Sequence, residues 1–128
     1  DLEYWLKLRE ITMPLAIIDG PTIAAGESLS DGVDCSAGTI VRITVPGEYT
    51  KGNMPHKMTF QVSTDGNFYS DLFDDEGLEI SITARENSGI VIDKAWARAV
   101  AFIKLRSGTR DVPVKQAVDC KFAIAIST

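Results

Sequence analysis

The chain has little of what most site chemistries need. Its 128 residues hold one histidine, two cysteines, and no excess of positive charge: 13 Lys and Arg stand against 18 Asp and Glu, a net charge of −5. Nucleic-acid binding draws most of its affinity from phosphate neutralisation by a basic stripe. Here the basic residues Lys94, Arg98, Lys104, Arg106 and Arg110 are scattered among acids, so no nucleic-acid partner is expected. No apolar run reaches the roughly 18–20 residues that span a bilayer as a helix, so no membrane partner is expected either. The N-terminal DLEYWLKLRE carries charge throughout and does not read as a signal peptide, and Met13-Pro14 could itself be a translation start.

Catalytic and cofactor patterns are missing too. No glycine-rich loop opens onto a helix, which excludes the usual phosphate and dinucleotide cradles. No Gly-x-Ser-x-Gly elbow accompanies His56, the only imidazole, which sits in a loop between Pro55 and Lys57. Cys35, Cys120 and His56 match no zinc spacing. Acids are numerous, but nothing marks a pair as facing carboxylates of a glycosidase. The expectation is a non-enzyme with no cofactor.

The two cysteines lie in matching Val-Asp-Cys triplets, 33–35 and 118–120. Buried thiols behaving as small apolar residues is the preferred reading, and a disulfide between them is the alternative.

What the sequence does contain is alternation. Residues 38–46, GTIVRITVP, place Val41, Ile43 and Val45 on one face and Ile40, Arg42 and Thr44 on the other, the period of a strand. Residues 58–63 repeat the pattern with Met58, Phe60 and Val62, and Asp65-Gly66 follows as a short hairpin turn, with Phe68, Tyr69, Leu72 and Phe73 returning toward a core. Further strands are predicted at 15–19, ended by Gly20-Pro21, in two short pieces around Gly26, and at 78–83, 89–93, 100–107 and 118–126, with a helical turn at 94–97. About eight short strands separated by turns predict an all-β fold, an antiparallel β-sandwich or jelly roll over residues 15–128. Residues 1–14 form a separate N-terminal arm or short helix in this reading.

Several residues are candidates for contact. The acidic run around Asp71, Asp74, Asp75, Glu76 and Glu79 could offer oxygens to a hard cation, although it lacks EF-hand spacing and reads better as a solvated turn. Tyr49 and Tyr69, in loops 47–57 and 69–77, could stack on a sugar. Trp5 on the arm, Arg42 and Arg106 on strands, and Arg110 and Lys115 in the connection 107–117 could meet a protein partner, arginine being suited to bidentate contacts with carboxylates. The connection itself, long and without apolar periodicity, reads as functional or mobile.

Two segments resemble a known architecture. FQVSTDG with Phe68, and AFIKLR at 101–106, look like the corresponding strands of galactose-binding-like (discoidin-type) jelly rolls. The ordered set TIAAGESLS, VRITVP, MTFQVSTDGNFYSDLFDDEG and FIKLRSGTRDVPVKQA, with a closing apolar strand, is similar to small proteins encoded among tailed-bacteriophage structural genes. That resemblance implies a virion component assembled in the host cytoplasm: a capsid decoration or cement protein that binds the major capsid protein or another virion protein. A homo-oligomer is expected, with a trimer favoured. The alternative is a glycan-binding head-spike or tail-fibre module that attaches to a host polysaccharide. The resemblance brings no catalytic residues.

Overall fold

A computed structural model describes residues 14–49 and 57–128. The arm with Trp5, the loop histidine His56 and most of the 47–57 loop lie outside the described residues.

The described chain is a β-sandwich of nine strands: β1 (Leu15–Ile23), β2 (Val33–Asp34), β3 (Thr39–Val45), β4 (Lys57–Ser63), β5 (Ser70–Asp71), β6 (Ser81–Thr83), β7 (Ser88–Val91), β8 (Phe102–Ser107) and β9 (Cys120–Ser127). A 3-10 turn, Ala95–Ala99, precedes β8. One sheet runs β1-β9-β3-β7 and the other β2-β8-β4-β5, with β6 also paired to β4; every pairing is antiparallel.

That order is a rolled ribbon. The outgoing strands β1, β2, β3 and β4 pair in turn with the returning strands β9, β8, β7 and β5/β6. The tip of the ribbon is the connection 64–69, and rolling it places alternate pairs in opposite sheets, the jelly-roll topology.

Strand alternation fills the space between the sheets. From β3 and β9 come Ile40, Ile43, Val45, Phe122, Ile124 and Ile126; from β4 and β8 come Met58, Phe60, Ile103 and Leu105. All are at most 3 % exposed, and side chains of this size each contribute roughly 1.5–3 kcal/mol on full burial.

Three local expectations are corrected. β1 does not end at Gly20-Pro21 but continues to Ile23, with a register shift between Asp19 and Thr22 that lets the chain pass the proline while still pairing with β9. β3 has a shift between Ile40 and Arg42, so Ile40 joins Ile43 and Val45 in the core while Val41 is only half-buried. The hairpin at Asp65-Gly66 is not a two-residue turn. Paired residues Val62 and Ser70 flank a longer loop, and Phe68 on it is 77 % exposed rather than returned to the core.

Candidate functional site

The outer face of the second sheet brings together several of the polar residues singled out from sequence. Because Met58, Phe60 and Val62 face inward, Thr59 and Gln61 face outward on β4. The register sets Thr59 beside Arg106 and Gln61 beside both Lys104 of β8 and Asp71 of β5.

Arg106 sits at the centre and is 6 % exposed. Its Nε donates to Thr59 Oγ1 (3.1 Å), both Nη atoms donate to Asp71 Oδ1 (2.8 Å each), and Nη2 also reaches Glu79 Oε2 (3.1 Å). The Thr59 hydroxyl donates in turn to the Gly108 carbonyl (2.8 Å), and Gln61 Nε2 donates to Asp71 Oδ1 (3.2 Å). Arg110 completes the cluster: its Nε lies 3.1 Å from Asp71 Oδ2, and its backbone N–H reaches the Glu79 carboxylate.

The cluster changes the meaning of several candidates. Arg106 is not a partner contact; it is buried, and its donors are spent on Asp71, Glu79 and Thr59. Asp71 is not free to ligate a cation, since both of its oxygens already accept from arginine. Asp74 is a turn residue whose Oδ1 accepts the N–H groups of Glu76 and Leu78 (2.9 Å each), and Asp75 is exposed on that turn. Among the described residues no three metal-ligating side chains converge.

The tyrosines separate. Tyr49 is not a loop aromatic open to a sugar. It is 3 % exposed and lies edge-on to Phe122 (5.7 Å), with its hydroxyl 3.3 Å from Ser107 Oγ. Burial raises its pKa, only partly opposed by that hydrogen bond. The same serine accepts from Gln116 Nε2 (2.8 Å), and Cys120 Sγ lies 3.6 Å from Gln116 Oε1, so a buried polar chain runs through the sandwich. Tyr69 is half-buried with Lys104 Nζ 4.4 Å from its ring centroid, a cation–π contact. Its hydroxyl packs on Gly32, where a Cβ would collide with it. Burial comes first among the causes that raise its pKa, followed by Asp65, Asp31 and Asp34.

Both cysteines are buried free thiols. Burial, with Asp34 as a second cause, pushes Cys35 up to about 11, and burial likewise raises Cys120.

The connection 107–117 is held at both ends. Val114 N–H bonds the Ser107 carbonyl (2.8 Å), Gln116 N–H bonds the Glu27 carbonyl (2.9 Å), and Gln116 itself is buried. Between them the Thr109–Val112 turn projects, closed by Thr109 N–H to the Val112 carbonyl (3.1 Å) and by Val112 N–H to Thr109 Oγ1 (3.0 Å). This fixed tip leaves Arg110 exposed, Val112 68 % exposed, and Lys115 exposed farther along. Arg110 lies over the Phe73 ring (5.8 Å), and Phe73 is bridged to Glu79, next to the exposed Leu78.

Leu78, Ile80, Ile82 and Trp96 line an open trough of about 500 Å³, with Lys94 and Asp74 also on its walls. Phe73 thus lies under an arginine whose position the ion pairs fix, Leu78 is exposed beside Glu79, and Val112 is exposed on the turn that carries Arg110. Arg110 and Lys115 are exposed on the connection 107–117; Leu78 and Val112 were not singled out from sequence. Arg42 is exposed on the opposite sheet, away from this cluster.

No family model matches the chain, and no curated protein matches it. Among solved structures, the Yersinia pseudotuberculosis-derived mitogen is similar at 9 % identity and a TM-score of 0.36, over 91 % of this chain and 86 % of that one.

Proposed function

We propose that this protein is a non-enzymatic structural component of a bacteriophage virion, a capsid decoration or cement protein that stabilises the head by binding neighbouring shell subunits. The observation that carries the binding part of this reading is the state of the polar groups. Asp71 and Glu79 are engaged by Arg106 and Arg110, while Phe73 and Leu78 stand exposed next to Glu79 and Val112 on the turn of Arg110. A catalytic site needs a carboxylate with a free oxygen aimed at a substrate. A docking surface needs fixed apolar anchors with a polar rim, which this corner supplies. The resemblance to phage structural proteins supplies the virion and shell assignment. The glycan reading loses Tyr49 to the core.

The test adds purified protein to capsids that lack it and measures co-sedimentation and heat resistance. Wild type should bind and raise the disruption temperature. Leu78→Asp and Val112→Asp should bind at least about tenfold more weakly with an unchanged melting temperature, since both residues are exposed. Capsids that neither bind nor gain heat resistance would remove the assignment, and retention on host polysaccharide would replace it.

A further inference from the structure

Two of the cavities join. A groove of about 310 Å³ runs beside the 3-10 turn, walled by Thr39 and Val41 of β3 and by Asp93, Lys94, Ala95 and Arg98. Lys94 and Ala95 also line the trough that holds Ile80, Ile82 and Trp96, so groove and trough form one channel around the turn. Its two halves differ in chemistry. The first carries the exposed charges Asp93, Lys94 and Arg98, none of them in an ion pair among the described residues. The second is apolar, with the Trp96 ring set against Phe60 at 5.0 Å. Its edge is open: β6 pairs with β4 on one side and, among the described residues, with no strand on the other.

The mouth of this channel lies near the start of β1. Leu15 pairs with Ser127, and Ser127 pairs with Thr39, so the chain enters β1 two inter-strand steps, about 10 Å, from a residue of the groove wall. Ahead of Pro14 stand residues 1–13, DLEYWLKLREITM, a length that can reach about 45 Å when extended. Their order matches the order of the channel. Read back from Pro14, the charged stretch with Lys7, Arg9 and Glu10 comes first, and the apolar stretch with Leu2, Tyr4, Trp5 and Leu6 comes after it.

We propose that residues 1–13 dock in this channel of their own chain. Trp5 and Leu6 then cover Ile80, Ile82 and Trp96, which removes apolar surface from water on both partners. Lys7 and Arg9 have Asp93 to pair with, and Glu10 has Lys94 and Arg98, so each charge meets its opposite. Backbone laid along the trough also meets the free edge of β6 and its N–H and C=O groups. This contact does not depend on the shell-binding reading, because it lies within one chain and can be measured on the protein alone.

The experiment is cross-linking of the full chain with a short bismaleimide, comparing Glu3→Cys with Ser81→Cys against Glu3→Cys with Asp19→Cys. Ser81 is exposed on the trough, whereas Asp19 is exposed on β1 only about 17 Å along the strand from Pro14. The native thiols, both buried, do not compete. Position 3 should link to position 81 of the same chain at least about tenfold faster than to position 19, the reverse of what a loose tether gives. Adding Trp5→Asp should bring the first rate down to the second. Equal rates, or a faster link to position 19, overturn the proposal. So does a covalent dimer as the main product, which would seat the segment on a neighbouring copy, and so does a rate indifferent to Trp5→Asp.

Discussion

The two outer faces of this sandwich each carry a strand arginine, and the two arginines behave in opposite ways. Arg106 on β8 is buried under an arm, β5 and the turn to β6, that brings Asp71 and Glu79 over it. Arg42 on β3 has, among the described residues, β7 and β9 as its strand neighbours, with Val91 and Ala125 in its row, and stays exposed. The same residue type at the same kind of strand position becomes a keystone where the chain supplies two carboxylates from about 30 residues away, and an exposed charge where it does not. What the difference teaches is that a strand's outward pattern names the face of a charge, whereas the neighbouring arm decides its role.

The strongest way to break the comparison is Arg106→Ala. Removing it leaves Asp71 and Glu79 facing each other, partly shielded and without their shared cation, so a loss of about 3 kcal/mol is expected in urea unfolding. An effect below about 1 kcal/mol would mean that the network is decorative.

Next comes Gly108→Ala. Gly108 has φ of +88°, and a Cβ there would run into the Val112 carbonyl, so the turn carrying Arg110 must rearrange. About 2 kcal/mol is expected, together with weaker capsid binding if the proposed shell contact is made through this turn, because Arg110 and Val112 would move.

The smallest effect belongs to Arg42→Ala, which should change monomer stability by no more than about 0.5 kcal/mol. A large loss there would erase the contrast.

Titration sharpens the comparison from inside the core. The pKa of Cys35 is raised from about 9 to about 11 in the folded chain, so the native state holds its proton longer than the unfolded state does. That contribution to stability is complete below about pH 9 and is lost as the pH rises toward 11. The thiol should therefore resist alkylation at pH 8 in the native protein and react promptly in urea. Rapid native labelling would show that the site opens.

Much of the architecture was legible because it rests on period-two alternation. β4, β8 and β9 fall within a residue or two of their predicted spans, and Ile103 and Leu105 face inward as the pattern requires. The misses arise where tertiary pairing overrides a local signal. Gly20-Pro21 reads as a stop, yet β9 offers a long partner that accommodates an irregularity and carries the strand on. Asp65-Gly66 reads as a tight turn. Instead the Asp65 carboxylate caps the N–H groups of Asn67 and Phe68, and Ser63 Oγ accepts from Gly66, which stabilises a wider loop.

The candidate site was less legible. Alternation placed Arg106 opposite the core-facing Leu105, but its burial depends on Asp71 and Glu79, 35 and 27 residues away, and nothing local announces that meeting. Tyr49 follows Pro46-Gly47-Glu48, a loop signature, and its anchors Ser107 and Phe122 are more than 50 residues distant.

The rolled ribbon carries a kinetic consequence. The pairing of β4 with β5 closes a short loop, whereas that of β1 with β9 joins residues more than 95 positions apart. Loop-closure entropy makes the first contact early and the second late, and a fold so dominated by distant partners belongs among those that form in milliseconds to seconds. Strain at the tip, as in Gly66→Ala where a Cβ would press on the Phe102 ring, should slow refolding. Trimming Ile18 at the seam to Ala should leave refolding nearly unchanged and quicken unfolding, and stopped-flow measurements that found the reverse would show that the roll closes from its ends.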